Sequence, residues 1–238
     1  MQIVITMAGL GTRFLKAGFD CPKYMIEVNG KSLFEWSMSS LEDFRDEKYY
    51  FIVRSSDDAV NYISECCNRM HISTFQIIEI DYVTSGQAET VMCAQDYWDV
   101  NDELFIYNID TYVEPVHIHA TDIIGDGFIP CFNGKGDHWS FVKTDSYGRA
   151  IEVTEKIRIS NNCTVGAYYF KSCGLYANIF QEYYNENKQS DNKSEKYVAP
   201  LYNQLIDDGG DVFISLIPED VVHVLGTPEE VNMFREFV

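Results

Sequence analysis

The chain of 238 residues is short of positive charge: 18 Lys and Arg stand against 37 Asp and Glu, a formal net charge of −19. A phosphate polymer approaching it meets a repulsive far field, which argues against nucleic acid as a partner. No apolar run approaches the ~20 residues that a membrane helix needs, and no basic segment precedes the first apolar stretch. Membrane insertion and export are therefore not expected, and a cytoplasmic protein is. A Pro/Ser/Gly-rich linker is lacking too, and with 46% apolar content one sizeable core and one domain over 1–238 are expected. There is no CxxC pair among the seven cysteines, and the adjacent Cys66-Cys67 cannot readily bridge or grip zinc, so reduced thiols are expected. No internal repeat is found.

What is there begins at the N-terminus. Gln2 to Thr6 has the β-branched content of a buried strand. It runs into Met7-Ala8-Gly9-Leu10-Gly11-Thr12-Arg13, where absent side chains let backbone N–H groups approach an anion closely. Arg13 offers a planar fork of donors, and Lys23, held by Pro22, a compact point charge; together they make a polyphosphate clamp. A few cations in a cleft outweigh the distant charge, which salt screens beyond ~8 Å. The spacing excludes two other glycine loops. A dinucleotide fingerprint needs a third glycine where Phe14 stands, and a P-loop needs Gly-Lys-Ser/Thr to begin five residues after its first glycine, where Gly9 and Gly11 have Phe14 and Lys16.

The pattern then alternates. Ser32-Leu33-Phe34-Glu35 has capping-box form and leads into a helix with Phe34, Met38, Leu41 and Phe44 on its apolar side. Tyr49 to Val53 reads as a strand, Asp57 to Met70 as a helix, Thr74 to Ile80 as a strand, Gly86 to Trp98 as a helix, and Leu104 to Ile109 as a strand ending on Asp110. This predicts an α/β three-layer sandwich with a mostly parallel central sheet, whose ligands gather beyond the carboxyl ends of the strands. Residues 1–130 would form mainly a nucleotide-binding half. In residues 131–238, short strands at Trp139 to Lys143, Ala150 to Thr154 and Thr164 to Phe170 predict a small antiparallel subdomain that carries the second substrate. Asn185 to Lys196 contains no apolar residue and reads as a mobile surface loop, and Val198 to Asp208 as a helix closed by Gly209-Gly210.

Asp110 places a carboxylate at a strand's exit into the expected phosphate cleft, a position suited to Mg2+. Ser85-Gly86-Gln87-Ala88-Glu89-Thr90 is a helix start at which Gly86 would permit close approach, and Asp81 would be a base-edge contact by position alone. Glu155-Lys156, taken by itself, is the kind of pair usually found solvated on a surface.

Gly9-x-Gly11-Thr12-Arg13 followed by Pro22-Lys23 resembles the nucleotidyltransferase (sugar-phosphate pyrophosphorylase) family. Gly86-Gln87, Asp110, Glu155-Lys156, Gly166 and Gly226-Thr227-Pro228-Glu229 follow in the family's order, so the resemblance spans nearly the whole chain, without a left-handed β-helix extension. It implies a Rossmann-like core and transfer of a nucleoside monophosphate from an NTP to a phosphorylated small molecule. Arg13 and Lys23 would be catalytic, and Ala8, Gly9, Gly11, Thr12, Gly86 and Gln87 would bind nucleotide. Glu155, Lys156 and Gly166 would bind the acceptor, and Asp110 the metal. The sequence departs from the family at Val224, where a second metal-binding Asp is usual two residues before Gly-Thr. Asp220, His223, a ligand from elsewhere or water are the replacements open to it, and His223 is equally a packed neutral residue. A nucleotide-sugar-dependent glycosyltransferase is the rival enzyme, disfavoured because Asn108 replaces the first Asp of an Asp-x-Asp motif; a non-catalytic nucleotide-binding regulator is the rival outside enzymes. A homo-oligomer is compatible with the sequence.

Overall fold

The computed structural model describes residues 1–186 and 195–237. Most of the polar stretch from Asn185 to Lys196, read above as a mobile loop, lies outside the described residues. In chain order the elements are β1 (Gln2–Thr6), α1 (Thr12–Lys16), β2 (Glu27–Val28), β3 (Lys31–Ser32), α2 (Leu33–Ser39), β4 (Lys48–Arg54), α3 (Val60–Arg69), β5 (Thr74–Ile80), α4 (Gln87–Met92), β6 (Leu104–Asn108), β7 (Thr111–Val113), β8 (Gly127–Asn133), β9 (Ser140–Thr144), β10 (Ala150–Glu155), β11 (Asn162–Thr164), β12 (Ala167–Phe170), α5 (Cys173–Glu186), α6 (Leu201–Asp207), β13 (Val212–Ile217), β14 (Val222–Val224) and α7 (Pro228–Phe237).

The main sheet has the order β10-β9-β11-β8-β12-β6-β1-β4-β5, with β13 also paired to β8. β5, β4, β1 and β6 run parallel. Alternate residues of these strands point to opposite faces: Ile3, Ile5, Phe51 and Phe105 pack with Phe34 and Met38 of α2 and Ile63 of α3. Val4, Tyr50, Ile52 and Ile106 pack with Val91 of α4, Tyr176 of α5 and Leu201 of α6. Burial on both faces explains why β1, β4 and β6 read as nearly continuous apolar runs, whereas β5, at the edge of the sheet, is partly exposed. A third cluster, with Phe14, Leu33, Trp36, Tyr112 and Phe234, ties α1 and α2 to α7.

The antiparallel strands continue this sheet: β12 bonds β6 on one side and β8 on the other. The expected capping box of α2 is complete, with the Ser32 hydroxyl accepting from Glu35 N–H and the Glu35 carboxylate accepting from Ser32 N–H. Gly209 takes the left-handed conformation (φ +84°) just past α6, and Gly210 N–H closes on Leu205 O at 2.9 Å. Three expectations are corrected. The helix read with Phe34, Met38, Leu41 and Phe44 on its apolar side ends at Ser39, and Phe44 belongs to a separate 3-10 turn over Glu42–Phe44. The helix read over Gly86 to Trp98 ends at Met92 and goes on as turns, in which Ala94 and Trp98 are nonetheless buried. The run Thr164 to Phe170 is split between β11 and β12 because Gly166 adopts φ +80°.

Candidate active site

Beyond the carboxyl ends of β1 and β6 lies a cleft of about 810 Å³, lined by Ala8, Gly9, Gly11, Thr12, Arg13, Lys23, Gly86, Gln87, Asp110, Glu155, Lys156 and Gly166, whereas Asp81, placed at the base edge by position alone, is not among its lining residues. The glycine loop leaves β1 at its wall; a Cβ built on Gly9 or Gly11 meets nothing within 4 Å, and Gly11 holds φ +59°. Lys23 Nζ donates to Asp110 Oδ2 at 2.7 Å, with both side chains more than two-thirds buried. Burial pushes the Asp110 carboxyl up, but the charge and hydrogen bond of Lys23, with Arg13 behind them, outweigh it and hold the group below the usual Asp range. The turn that carries Lys23 is anchored beside it: Tyr24 OH donates to Asp57 Oδ2 at 3.0 Å, and Arg54 grips Oδ1 at 2.7 Å.

Asn108, which the sequence reading used only to exclude an Asp-x-Asp motif, is a junction. Gln87 Nε2 donates to its Oδ1, its N–H donates to Gly166 O at 3.0 Å, and a Cβ on Gly166 would overlap its side-chain amide. The room that Gly166 provides is thus occupied by Asn108. Gly86 likewise admits backbone: a Cβ there would lie 2.5 Å from Lys196 O, in a segment bonded to α4 through Ala88 N–H and to Ser85 through Lys196 N–H. That segment brings Glu195 and Tyr197 into the cleft.

At the other end, Glu155 is not a solvated surface residue, for its side chain is 15% exposed. Burial raises its pKa, against the pull of a hydrogen bond from Ser140 Oγ and of the Lys156 ammonium 3.8 Å away. Lys156, at φ +59°, donates to Tyr197 OH with its Nζ 4.5 Å from that ring's centroid; the hydrogen bond raises its pKa and keeps it charged. Ser140, Glu195 and Tyr197, and the junction role of Asn108, escaped the sequence reading because each is an ordinary polar residue in its local context.

No protein-family model matches the chain. A nucleoside-diphosphate-sugar pyrophosphorylase from Vibrio cholerae RC9 shares 35% sequence identity and superposes with a TM-score of 0.92 over 98% of this chain and 99% of that one. The chain belongs to the nucleotidyltransferase family. The inositol-1-phosphate CTP transferase of T. maritima has the same fold, with a TM-score of 0.78 over 99% of this chain and 93% of that one at 16% identity. Bifunctional protein GlmU of Methanocaldococcus jannaschii is 30% identical over 114 residues, 48% of this chain but 26% of its own length, so the match spans about a quarter of that relative.

In this nucleotidyltransferase the position of the usual second carboxylate is Val224, which lines the cleft beside Asp110. Neither residue named as its replacement reaches the cleft lining. His223 stacks on Tyr112 with ring centroids 5.5 Å apart and lies against Phe234, and burial lowers its pKa, which makes it a packed neutral ring. Among the described residues no three His, Cys, Asp or Glu side chains cluster as a metal cage. Another carboxylate does line the cleft, however: that of Glu230, whose Oε2 is buried without a hydrogen-bond partner. An anionic Asp110 and an unsatisfied carboxylate oxygen fit Mg2+, which takes one or two protein carboxylates and completes its octahedron with phosphate oxygens and water. No helix among the described residues is long and apolar enough to cross a membrane.

Proposed function

We propose that the protein transfers a nucleoside monophosphate from an NTP to a phosphorylated small molecule, a sugar phosphate foremost, with release of pyrophosphate and dependence on Mg2+. The product would be an activated precursor, with surface polysaccharide as its destination by analogy of fold. The observation that carries the reading is the placement of Arg13 and the Lys23–Asp110 pair beside the glycine loop and of Lys156 elsewhere in the same cleft, a cation site for each of two phosphate-bearing substrates.

An oxygen of the acceptor phosphate attacks the α-phosphorus in line; the bond from that phosphorus to the bridging oxygen breaks, and its electron pair leaves with pyrophosphate. Such a transfer requires alignment and charge stabilisation rather than a covalent partner. Arg13 and Lys23 neutralise the developing charge on the leaving group, and the loop amides around Gly9 and Gly11 hold the triphosphate. Lys156, fixed by Tyr197, orients the attacking phosphate, while Glu155 accepts from acceptor hydroxyls. Mg2+ held by Asp110 would neutralise phosphate charge.

The test is pyrophosphate release from a panel of NTPs with Mg2+ and phosphorylated acceptors. One productive pair supports the reading. Activity only with a nucleotide sugar as donor would support the glycosyltransferase, and tight NTP binding with no product would support the regulator; either overturns it.

A further inference from the structure

We propose that Glu230, on the first turn of α7, supplies the second protein carboxylate for the divalent cation, in place of the one absent at Val224. The identity of the cation rests on the nucleotidyl-transfer reading; the two-carboxylate site does not. A Cβ built on Gly226 would lie 3.3 Å from Asp110 Oδ2 and 3.5 Å from Glu230 Oε2, so the two carboxylates flank one point. Gly226 is not in the left-handed region, and what its missing side chain provides there is space.

The state of Glu230 calls for a partner. A buried carboxyl oxygen without a hydrogen bond is costly, and native structures rarely keep one without a task. Its sequence context, Thr227-Pro228-Glu229-Glu230, has the form of a capping box, which offers a purely structural explanation. At α2 that explanation holds, since the Glu35 carboxylate returns to the Ser32 N–H and hydroxyl. At α7 only half of the motif is made: Glu230 N–H donates to Thr227 Oγ1 at 3.2 Å, while Glu230 Oε2 has no partner. Asp110 has Lys23 as its counter-ion; among the described residues Glu230 has none. A hard cation bound to both carboxylates would satisfy that oxygen and free Lys23 for phosphate.

The experiment is Mn2+ binding to the whole protein without nucleotide, followed by electron paramagnetic resonance, since Mn2+ shares the oxygen preference of Mg2+. The wild type is expected to show one saturable site. Glu230→Gln and Asp110→Asn should each weaken it at least ~10-fold, because affinity follows ligand charge. Gly226→Ala, which changes no charge, should weaken it by filling the space between them. Val224→Asp in the Glu230→Gln background should restore it. Melting in EDTA checks folding, and should Glu230→Gln unfold, Gly226→Ala reads the same site. Wild-type affinity in Glu230→Gln, or no saturable wild-type site, overturns the proposal. Pyrophosphate release by the wild type is scored separately: transfer with Mn2+ binding indifferent to Glu230 removes only this inference, and a two-carboxylate site without transfer removes only the proposed reaction.

Discussion

Lys23 and Asp110, read from the sequence as a phosphate ligand and a metal ligand, form one pair at 2.7 Å, and this shapes what their removal should do. Arg13→Ala and Lys23→Ala are each expected to cut turnover at least ~100-fold with the fold intact, since losing one preorganised donor to developing charge costs about 2.7–4 kcal/mol. Near-wild-type rates of pyrophosphate release in both would remove the clamp. The pair also sets a pH dependence. The folded-state pKa of Asp110 is depressed, so its contribution to stability is present above the ordinary Asp value of about 3.9 and is lost as pH falls through the lower folded value. Denaturant unfolding of wild type and Asp110→Asn should therefore show a stability difference in favour of the wild type that is fullest near neutral pH and shrinks below about pH 4. A difference that stays constant into that acid range would mean that Asp110 titrates alike in folded and unfolded chains.

At the scale of elements, the break between β11 and β12 joins fold to site. Gly166 carries a left-handed φ and has the Asn108 side chain against it, so Gly166→Ala meets both backbone strain and overlap. The backbone share alone is about 1–3 kcal/mol. Urea unfolding should show a loss of at least that size, and adding Asn108→Ala should recover the steric part but not the backbone part. Full additivity of the two substitutions would mean that they do not meet. This break was hidden in an apolar run, because the φ of Gly166 depends on a residue from β6. The neighbouring β8 was missed for a related reason: Pro130 interrupts its run, though it sits between β13 and β12. β1, β4 and the α2 cap were legible because buried strands and capping boxes are written locally. The cleft residues were legible through the order of their motifs, whereas Glu230 was not, since Thr-x-x-Glu before an apolar face says helix start and gives no sign that the carboxylate turns away.

The whole molecule sets a field against its own proposed substrates. A formal charge of −19 repels an NTP at long range, while Arg13, Lys23 and Lys156 attract it only within the cleft. The two effects separate by ionic strength, because the Debye length falls from about 30 Å at 0.01 M salt to about 8 Å at 0.15 M. Over that interval the repulsion of distant carboxylates is removed first, and the association rate of a metal-free NTP should rise. Toward 1 M, where the length is about 3 Å, contacts between the cleft cations and phosphate weaken as well, so the rate should pass through a maximum and fall. Stopped-flow binding of a fluorescent NTP analogue in EDTA measures this directly. A rate that declines steadily from the lowest salt would show that the cleft cations govern approach from the outset; the far field would then be steering substrate inward, and the acidic surface would have to be arranged away from the mouth of the cleft.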